Sequence, residues 1–181
     1  MIINTNRIVL NICSACNLKC KHCLAFIPYY KKTHIMSYSE AKSILEHYFA
    51  VVDSVKHFTV TGGEPLLNKD VLPILEEVMK YKRHIGETLD FVTNATMMIP
   101  NEVQDFFEAN KDSTRIVLSD YGPDLSKKLN SIQNDLDNRG IVYRISKFYG
   151  DNLYYNGWID FSDHSLKWKT IEERDRNAAK C

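Results

Sequence analysis

The sequence predicts an α/β fold: a partial (β/α) barrel of about five to six units, with a parallel, curved sheet and helices outside. Three observations predict it. Five short β-branched or aromatic runs alternate with four helical patterns, the sequence form of repeated β-α-β crossovers. No linker, low-complexity tract or charge block interrupts residues 7–146, so the repeats make one unit. The 181 residues are too few to close an eight-stranded barrel, which takes about 250.

The strands are expected at residues 7–12, 57–61, 89–93, 115–119 and 141–146, each ending where polar residues or glycine begin. After the first strand, Ser37-Tyr38-Ser39-Glu40 reads as a capping box whose hydroxyl and carboxylate satisfy reciprocal backbone N–H groups. Ala41, Ile44, Leu45, Tyr48, Phe49 and Val52 follow at helical spacing. A second helix is expected from about Lys69 to Lys82, with Pro73 in its first turn. Pro100 opens a third helix carrying Val103, Phe106 and Phe107. Asp124 is expected to cap a fourth, with Leu125, Leu129, Ile132 and Leu136 on one face and Gly140 stopping it in the left-handed conformation. Crossovers of this kind are nearly always right-handed, which puts the helices on one side of the sheet.

Residues 1–148 thus form a core, and 149–181 a C-terminal segment. Tyr149, Tyr154, Tyr155, Trp158, Phe161 and Trp168 make the first part of that segment aromatic, suited to covering the open side of the barrel. Thr170-Ile171-Glu172-Glu173 then reads as a second capping box before a charged helix.

Composition narrows the function classes. Apolar residues make up 44% and the 23 basic residues match the 23 acidic ones, so there is no basic excess to point to a nucleic-acid partner. No apolar stretch approaches the roughly 20 residues of a membrane span. The N-terminal residues lack the charged region and apolar core of a signal peptide, and a cytoplasmic location is expected. Four of the five cysteines fall within eleven residues, a clustering that suits metal binding or redox chemistry rather than a disulfide framework.

Cys16, Cys20 and Cys23 form a C-x3-C-x2-C loop directly after the first strand. Three thiolates from one loop can hold three corners of a cubane iron–sulfur cluster, leaving one iron open where four cysteines would close it. Lys19, Lys21 and His22 lie between them and favour the thiolate form. With Cys13, the set could instead close a structural zinc site of four thiolates. Cys13 lies at the strand end, before the loop, and suits a small packed thiol better.

About forty residues on, Thr61-Gly62-Gly63-Glu64-Pro65 ends the second strand. Active sites of parallel barrels collect on this rim. The glycines permit close approach to the backbone, and the Glu64 carboxylate could accept a ligand ammonium. Asn94 ends the third strand, and Ser119 and Asp120 the fourth, on the same rim. Such residues also end strands as ordinary turn chemistry. Tyr29, Tyr30, Lys31, Lys32 and His34 follow the cysteine loop and read more readily as solvated or packing residues.

The cysteine triad after the first strand and the Gly-Gly-Glu-Pro turn after the second, in that order and at that distance, resemble the radical S-adenosylmethionine (radical SAM) enzymes. The resemblance implies a six-unit partial barrel carrying a [4Fe–4S] cluster on Cys16, Cys20 and Cys23. It implies that Gly62, Gly63, Glu64 and Pro65 hold the methionine amino group of SAM. It places the position of His22 against the adenine, Ser119 and Asp120 at the ribose, and Asn94 near the methionyl group or the substrate.

The activity implied is of oxidoreductase or transferase type, its exact reaction left open: a reduced cluster passes one electron to SAM, and the resulting 5′-deoxyadenosyl radical takes hydrogen from a substrate. An electron donor such as flavodoxin or ferredoxin is implied as partner. The substrate is left open, a peptide or protein being the class offered by relatives with a C-terminal SPASM or twitch extension. Cys181 is consistent with the start of such an extension in a longer chain. Three alternatives stand beside this reading: a non-catalytic iron–sulfur or SAM-binding protein, a structural zinc protein, and an activating enzyme that installs a glycyl radical.

Overall fold

The computed structural model describes residues 2–20, 23–149 and 172. Five strands, β1 (Asn4–Asn11), β2 (Ser54–Thr61), β3 (Ile85–Thr93), β4 (Thr114–Asp120) and β5 (Tyr143–Lys147), form one sheet in sequence order. Every neighbouring pair is parallel. Four helices supply the crossovers: α1 (Tyr38–Val51), α2 (Val71–Met79), α3 (Asn101–Ala109) and α4 (Leu129–Arg139). The expected partial (β/α) barrel is therefore the observed fold. Of the predicted segment 149–181, only Tyr149 and Glu172 fall among the described residues, so its capping role and terminal helix lie outside them.

Alternation along the strands sorts the two sheet faces. Phe58 and Val60 of β2, Leu89 and Phe91 of β3, and Ile116 and Leu118 of β4 pack into one core with Leu45, Leu75, Val78, Val103, Phe107, Ile132 and Leu136 of the helices. The opposite face mixes valines (Val9, Val92, Val117) with polar side chains. Asp90, 2% exposed, accepts two hydrogen bonds from Arg115 across the β3–β4 pair, at 3.0 Å from Nε and 2.9 Å from Nη2. This pairing satisfies a carboxylate that burial would otherwise penalise.

Several element ends differ from the sequence expectation. The first three strands start three or four residues early because Asn4 pairs with Ser54 and Val55 with Ile85. These starts are largely polar, and the single apolar residues Val55 and Ile85 are too isolated to mark a strand. Ser37 caps α1 by accepting the Glu40 N–H at 3.3 Å, but the Glu40 carboxylate turns to His34 Nε2 at 3.0 Å, so only half of the expected capping box forms. The N–H of the next residue, Tyr38, donates to Asp70 Oδ2, 2.9 Å away at the head of α2. Ile44 is exposed. α2 is shorter than expected, and a 3₁₀ turn at Lys82–His84 leads into β3.

The largest correction concerns α4. It begins at Leu129 and is not capped by Asp124. Leu125 is exposed and belongs to a turn in which the Leu125 and Ser126 N–H groups donate to Gly122 O. Gly140 does end the helix in the left-handed conformation, at φ 63°.

Candidate active site

The loop that carries the cysteines grows out of the end of β1 and is braced on both sides. On one side Ser14 N–H donates to His34 O at 2.7 Å and Met36 N–H to Ile12 O at 3.0 Å, an antiparallel bridge between Cys13 and Ile35. On the other side the glycine turn continues the β1–β2 pairing past the strand ends. Gly63 N–H donates to Cys13 O at 2.7 Å, and Glu64 N–H to Ala15 O at 2.8 Å. The cysteine loop and the Gly62–Pro65 turn are thus one hydrogen-bonded unit.

This contact explains both glycines. A Cβ on Gly62 would stand 2.6 Å from Cys13 O, and one on Gly63 would stand 2.2 Å from Ala15 O and 2.8 Å from Cys16 Cβ. The bare backbone was expected to admit an approaching ligand. In the structure the approaching group is the cysteine loop itself.

Glu64 is fully buried. Its Oε1 accepts from Leu66 N–H at 3.1 Å and from the Thr93 hydroxyl at 2.8 Å, and its Oε2 accepts from Asn94 N–H at 2.8 Å. Burial pushes its pKa up, against the opposing pull of the Asn94, Leu66 and Thr93 donors. The carboxylate therefore ties the end of β2 to the end of β3. Pro65 is buried and starts a 3₁₀ turn, Pro65–Leu67. Beyond it the buried Asn68 donates from Nδ2 to Ile12 O and Met36 O, both at 2.9 Å.

Asn94 carries the link to the cysteines. Its Nδ2 donates to Asn17 Oδ1 at 2.9 Å and lies 3.8 Å from Cys16 Sγ, while its Oδ1 accepts from Thr96 N–H at 3.0 Å. Leu18 N–H also donates to Cys16 Sγ at 3.3 Å. N–H groups aimed at a cysteine sulfur are one of the levers by which proteins tune an iron–sulfur centre. Burial raises the pKa of Cys16, countered by Leu18 and reinforced by Glu64. Burial also raises that of Cys20, with Cys16 and then Cys23 adding to it. Of the groups expected to favour the thiolates, Lys19 is not among these influences, and Lys21 and His22 lie outside the described residues.

The residues fit an iron–sulfur cluster. Cys16, Cys20 and Cys23 are all half-buried on one loop, close enough that Cys23 raises the proton affinity of both Cys16 and Cys20, with backbone and amide donors already facing a sulfur. Among the described residues no three His, Cys, Asp or Glu side chains close on one point as a single metal ion would require. A cubane does not ask for that, since each thiolate takes its own iron. Cys13 is buried elsewhere: its thiol donates to Ala15 O at 3.2 Å and Glu64 O at 3.4 Å, beneath the glycine turn. That position weighs against a four-thiolate zinc site.

The other rim residues lie where strand ends should put them. Ser119 and Asp120 are buried; Ser119 O accepts from the Ser126 hydroxyl at 3.2 Å, and Asp120 Oδ1 accepts from Gly122 N–H at 2.9 Å. His22 lies outside the described residues. Sequence reasoning missed Asn68 and Thr93, whose buried roles carry no local signal, and also Tyr121. The Tyr121 ring stacks on Phe148 at 5.3 Å, and its phenol is pushed up to about 12 by burial and by nearby Cys20. A Tyr at the end of a predicted strand was the only available sign of it.

Comparison with known proteins agrees with this geometry. Residues 10–141 match the family model described as the Radical SAM superfamily. A GTP 3′,8-cyclase of Lactiplantibacillus plantarum is 27% identical over 141 residues, covering 75% of this chain and 41% of the cyclase. The chain therefore spans less than half of that relative. Among solved structures, SuiB of Streptococcus suis bound to S-adenosylmethionine aligns with TM-score 0.63 at 20% identity, over 78% of this chain and 33% of SuiB. SuiB bound to its precursor peptide SuiA aligns equally well, at TM-score 0.63 and 20% identity over 78% of this chain and 32% of SuiB. At such identities these two structures show a shared fold.

Proposed function

The chain belongs to the radical SAM superfamily, and on that premise we propose that it is the catalytic core of a radical SAM enzyme. It would hold a [4Fe–4S] cluster on Cys16, Cys20 and Cys23. S-adenosylmethionine would sit against Gly62–Pro65, Asn94, Ser119 and Asp120, with His22 beside the adenine. When bound, the cluster and SAM supply one-electron cleavage of the sulfonium and hydrogen-atom abstraction from an organic substrate.

The observation that carries this reading is the fusion of the cysteine loop and the glycine turn into one hydrogen-bonded unit, with Asn94 reaching from the Glu64 carboxylate to Cys16 Sγ. The chain's own residues therefore do three things. The loop gathers three thiols on the barrel rim. The two N–H donors on Cys16 orient its sulfur and stabilise negative charge there. Buried Glu64, itself held by three donors, keeps the ends of β2 and β3 at a constant separation.

Two substrate classes are suggested by relatives: a guanine nucleotide by the cyclases, and a peptide by the peptide-bound SuiB structure. The peptide class matches the expectation drawn from sequence. A flavodoxin or ferredoxin would supply the electron.

Anaerobic reconstitution with iron and sulfide, then dithionite and SAM, tests the proposal. It requires 5′-deoxyadenosine from the intact chain and none from Cys20→Ala. Zinc without iron would overturn it, and a cluster that leaves SAM intact would assign the chain a scaffold role.

A further inference from the structure

Three side chains on the rim close a ring of hydrogen bonds, and two of them, Asn17 and Thr96, have no part in the function proposed above. Asn94 Nδ2 donates to Asn17 Oδ1 at 2.9 Å and Asn17 Nδ2 to Thr96 Oγ1 at 2.6 Å. The Thr96 hydroxyl closes the ring by donating to Asn94 Oδ1 at 2.6 Å. Each residue gives one proton and receives one, an arrangement in which the bonds polarise one another. The ring joins two loops 77 and 79 positions apart in sequence. Asn17 directly follows Cys16, and Thr96 lies just beyond the end of β3.

Stability alone is a poor reason for this ring. Asn17 is exposed and Thr96 half-buried, so water would satisfy both side chains if they stood apart. The chain nevertheless holds Ala95, between Asn94 and Thr96, in the left-handed region at φ 54°, where a Cβ is strained. That turn brings Thr96 N–H back to Asn94 Oδ1 at 3.0 Å. A backbone N–H can only donate, so the atom that faces it is the amide oxygen.

The Asn94 amide is thereby fixed end for end. Its oxygen points to Thr96, and its NH2 lies toward Cys16 Sγ, 3.8 Å away. Turned over, the amide would set its oxygen against the sulfur and repel the charge of a thiolate. The Asn94 backbone is already held, its N–H by Glu64 and its carbonyl by the Ser126 hydroxyl at 3.2 Å. Only the side-chain amide is left free to turn, and the ring removes that freedom.

We propose that Asn17 and Thr96 are positioning residues that act through Asn94 to keep an amide N–H on Cys16 Sγ, before and after that sulfur binds iron. The inference rests on the function proposed above, in which Cys16 holds one corner of the cluster. A donor on a ligating sulfur stabilises the more negative, reduced state and so raises the reduction potential. It also spares the loop part of the ordering that ligation would otherwise demand.

The test compares Thr96→Val, which keeps the shape and removes the hydroxyl, with Thr96→Ser, which keeps the hydroxyl. In iron-free protein, heteronuclear NMR reads how fast the Asn17 and Asn94 side-chain NH2 protons exchange with water. Exchange should be slow in wild type and Thr96→Ser, and about three- to tenfold faster in Thr96→Val, the loss expected of one hydrogen bond. In reconstituted protein, a redox titration followed by electron paramagnetic resonance reads the cluster potential. Thr96→Val should make it more negative, with a reduction equilibrium weaker by about three- to tenfold, and Thr96→Ser should hold the wild-type value. In an Asn94→Ala background the same Thr96→Val change should shift the potential no further. Asn17→Ala, at an exposed position that folding tolerates, should move both readouts in the same direction.

A Thr96→Val protein with wild-type exchange and potential would overturn the proposal. So would a Thr96→Ser protein as impaired as Thr96→Val, since the methyl rather than the hydroxyl would then matter. Additive effects of Thr96→Val and Asn94→Ala would also overturn it, by giving Thr96 a route that bypasses Asn94. Failure of the underlying function shows differently, as wild-type protein that takes up no iron. The amide exchange of the iron-free protein still decides the ring in that case.

Discussion

Replacing Gly63 with alanine should separate the cysteine loop from the β2 turn. The added Cβ would lie 2.2 Å from Ala15 O and 2.7 Å from Ala15 C, both backbone atoms that no rotamer change can move. Ordinary contact begins near 3.4 Å, so the two chains must part by about 1 Å. That displacement acts on two hydrogen bonds already at 2.7 and 2.8 Å, Gly63 N–H to Cys13 O and Glu64 N–H to Ala15 O. Losing both, at about 1 kcal/mol each, and leaving polar groups partly unpaired gives a destabilisation of about 2–4 kcal/mol. Cys16 Cβ, 2.8 Å from the new methyl, moves with the loop.

Urea unfolding measures the first effect, and iron bound per chain after reconstitution measures the second. Gly86→Ala is the control. Its Cβ meets nothing closer than 3.7 Å, and its stability should stay within about 0.5 kcal/mol of wild type. A Gly63→Ala protein that matches Gly86→Ala in both stability and iron content would refute the idea that the glycine serves the loop contact.

Further expectations follow from the same contacts. Glu64→Ala leaves the Thr93 hydroxyl and the Asn94 and Leu66 N–H groups without their acceptor inside the protein, so its urea midpoint should drop by the equivalent of about 3 kcal/mol. Asn94→Ala removes the donor near Cys16 Sγ and the link to Asn17; iron should be lost faster to a chelator while the far-ultraviolet circular dichroism stays unchanged. Cys13→Ala should retain full iron and cost only about 1 kcal/mol, because that thiol packs under the turn; loss of iron would revive the four-thiolate site. Burial alone would raise the Glu77 pKa, but hydrogen bonds from Lys80 and Tyr38 outweigh it and hold the carboxyl below its ordinary value. A depressed native pKa stabilises fully above the unfolded value of about 4.3 and is lost as pH falls through the native one. The Glu77→Gln variant should therefore lose less stability than wild type on acidification below that value, and parallel curves would sink the assignment.

What could be read from sequence follows from how local each signal is. The strand centres were legible because Phe58, Val60, Leu89, Phe91, Ile116 and Leu118 all face one apolar core. The starts of β1 and β2 were not, since Asn4 and Ser54 join the sheet only through each other. Leu125 fell in step with Leu129, Ile132 and Leu136, yet the turn at Gly122, with φ 93°, sends it outward. The capping motif at Ser37 was right about the hydroxyl. It was wrong about the carboxylate, because Glu40 and Asp70 found partners supplied by tertiary structure.

The same division runs through the site. Cys16, Cys20 and Cys23 announce themselves by spacing within one loop, whereas Asn68, Thr93 and the reach of Asn94 to Cys16 join residues 29 to 78 positions apart or clamp two loops at once. The glycines show how a correct motif can carry an incomplete reason. Bare backbone at Gly62 and Gly63 was expected to make room for a ligand, and the structure fills that room with Cys13 and Ala15. The two motifs therefore belong together for a structural reason that precedes any cofactor: one motif can adopt its shape only against the other. A substitution in the glycine turn should accordingly disturb the cysteine loop even in protein that has never met iron.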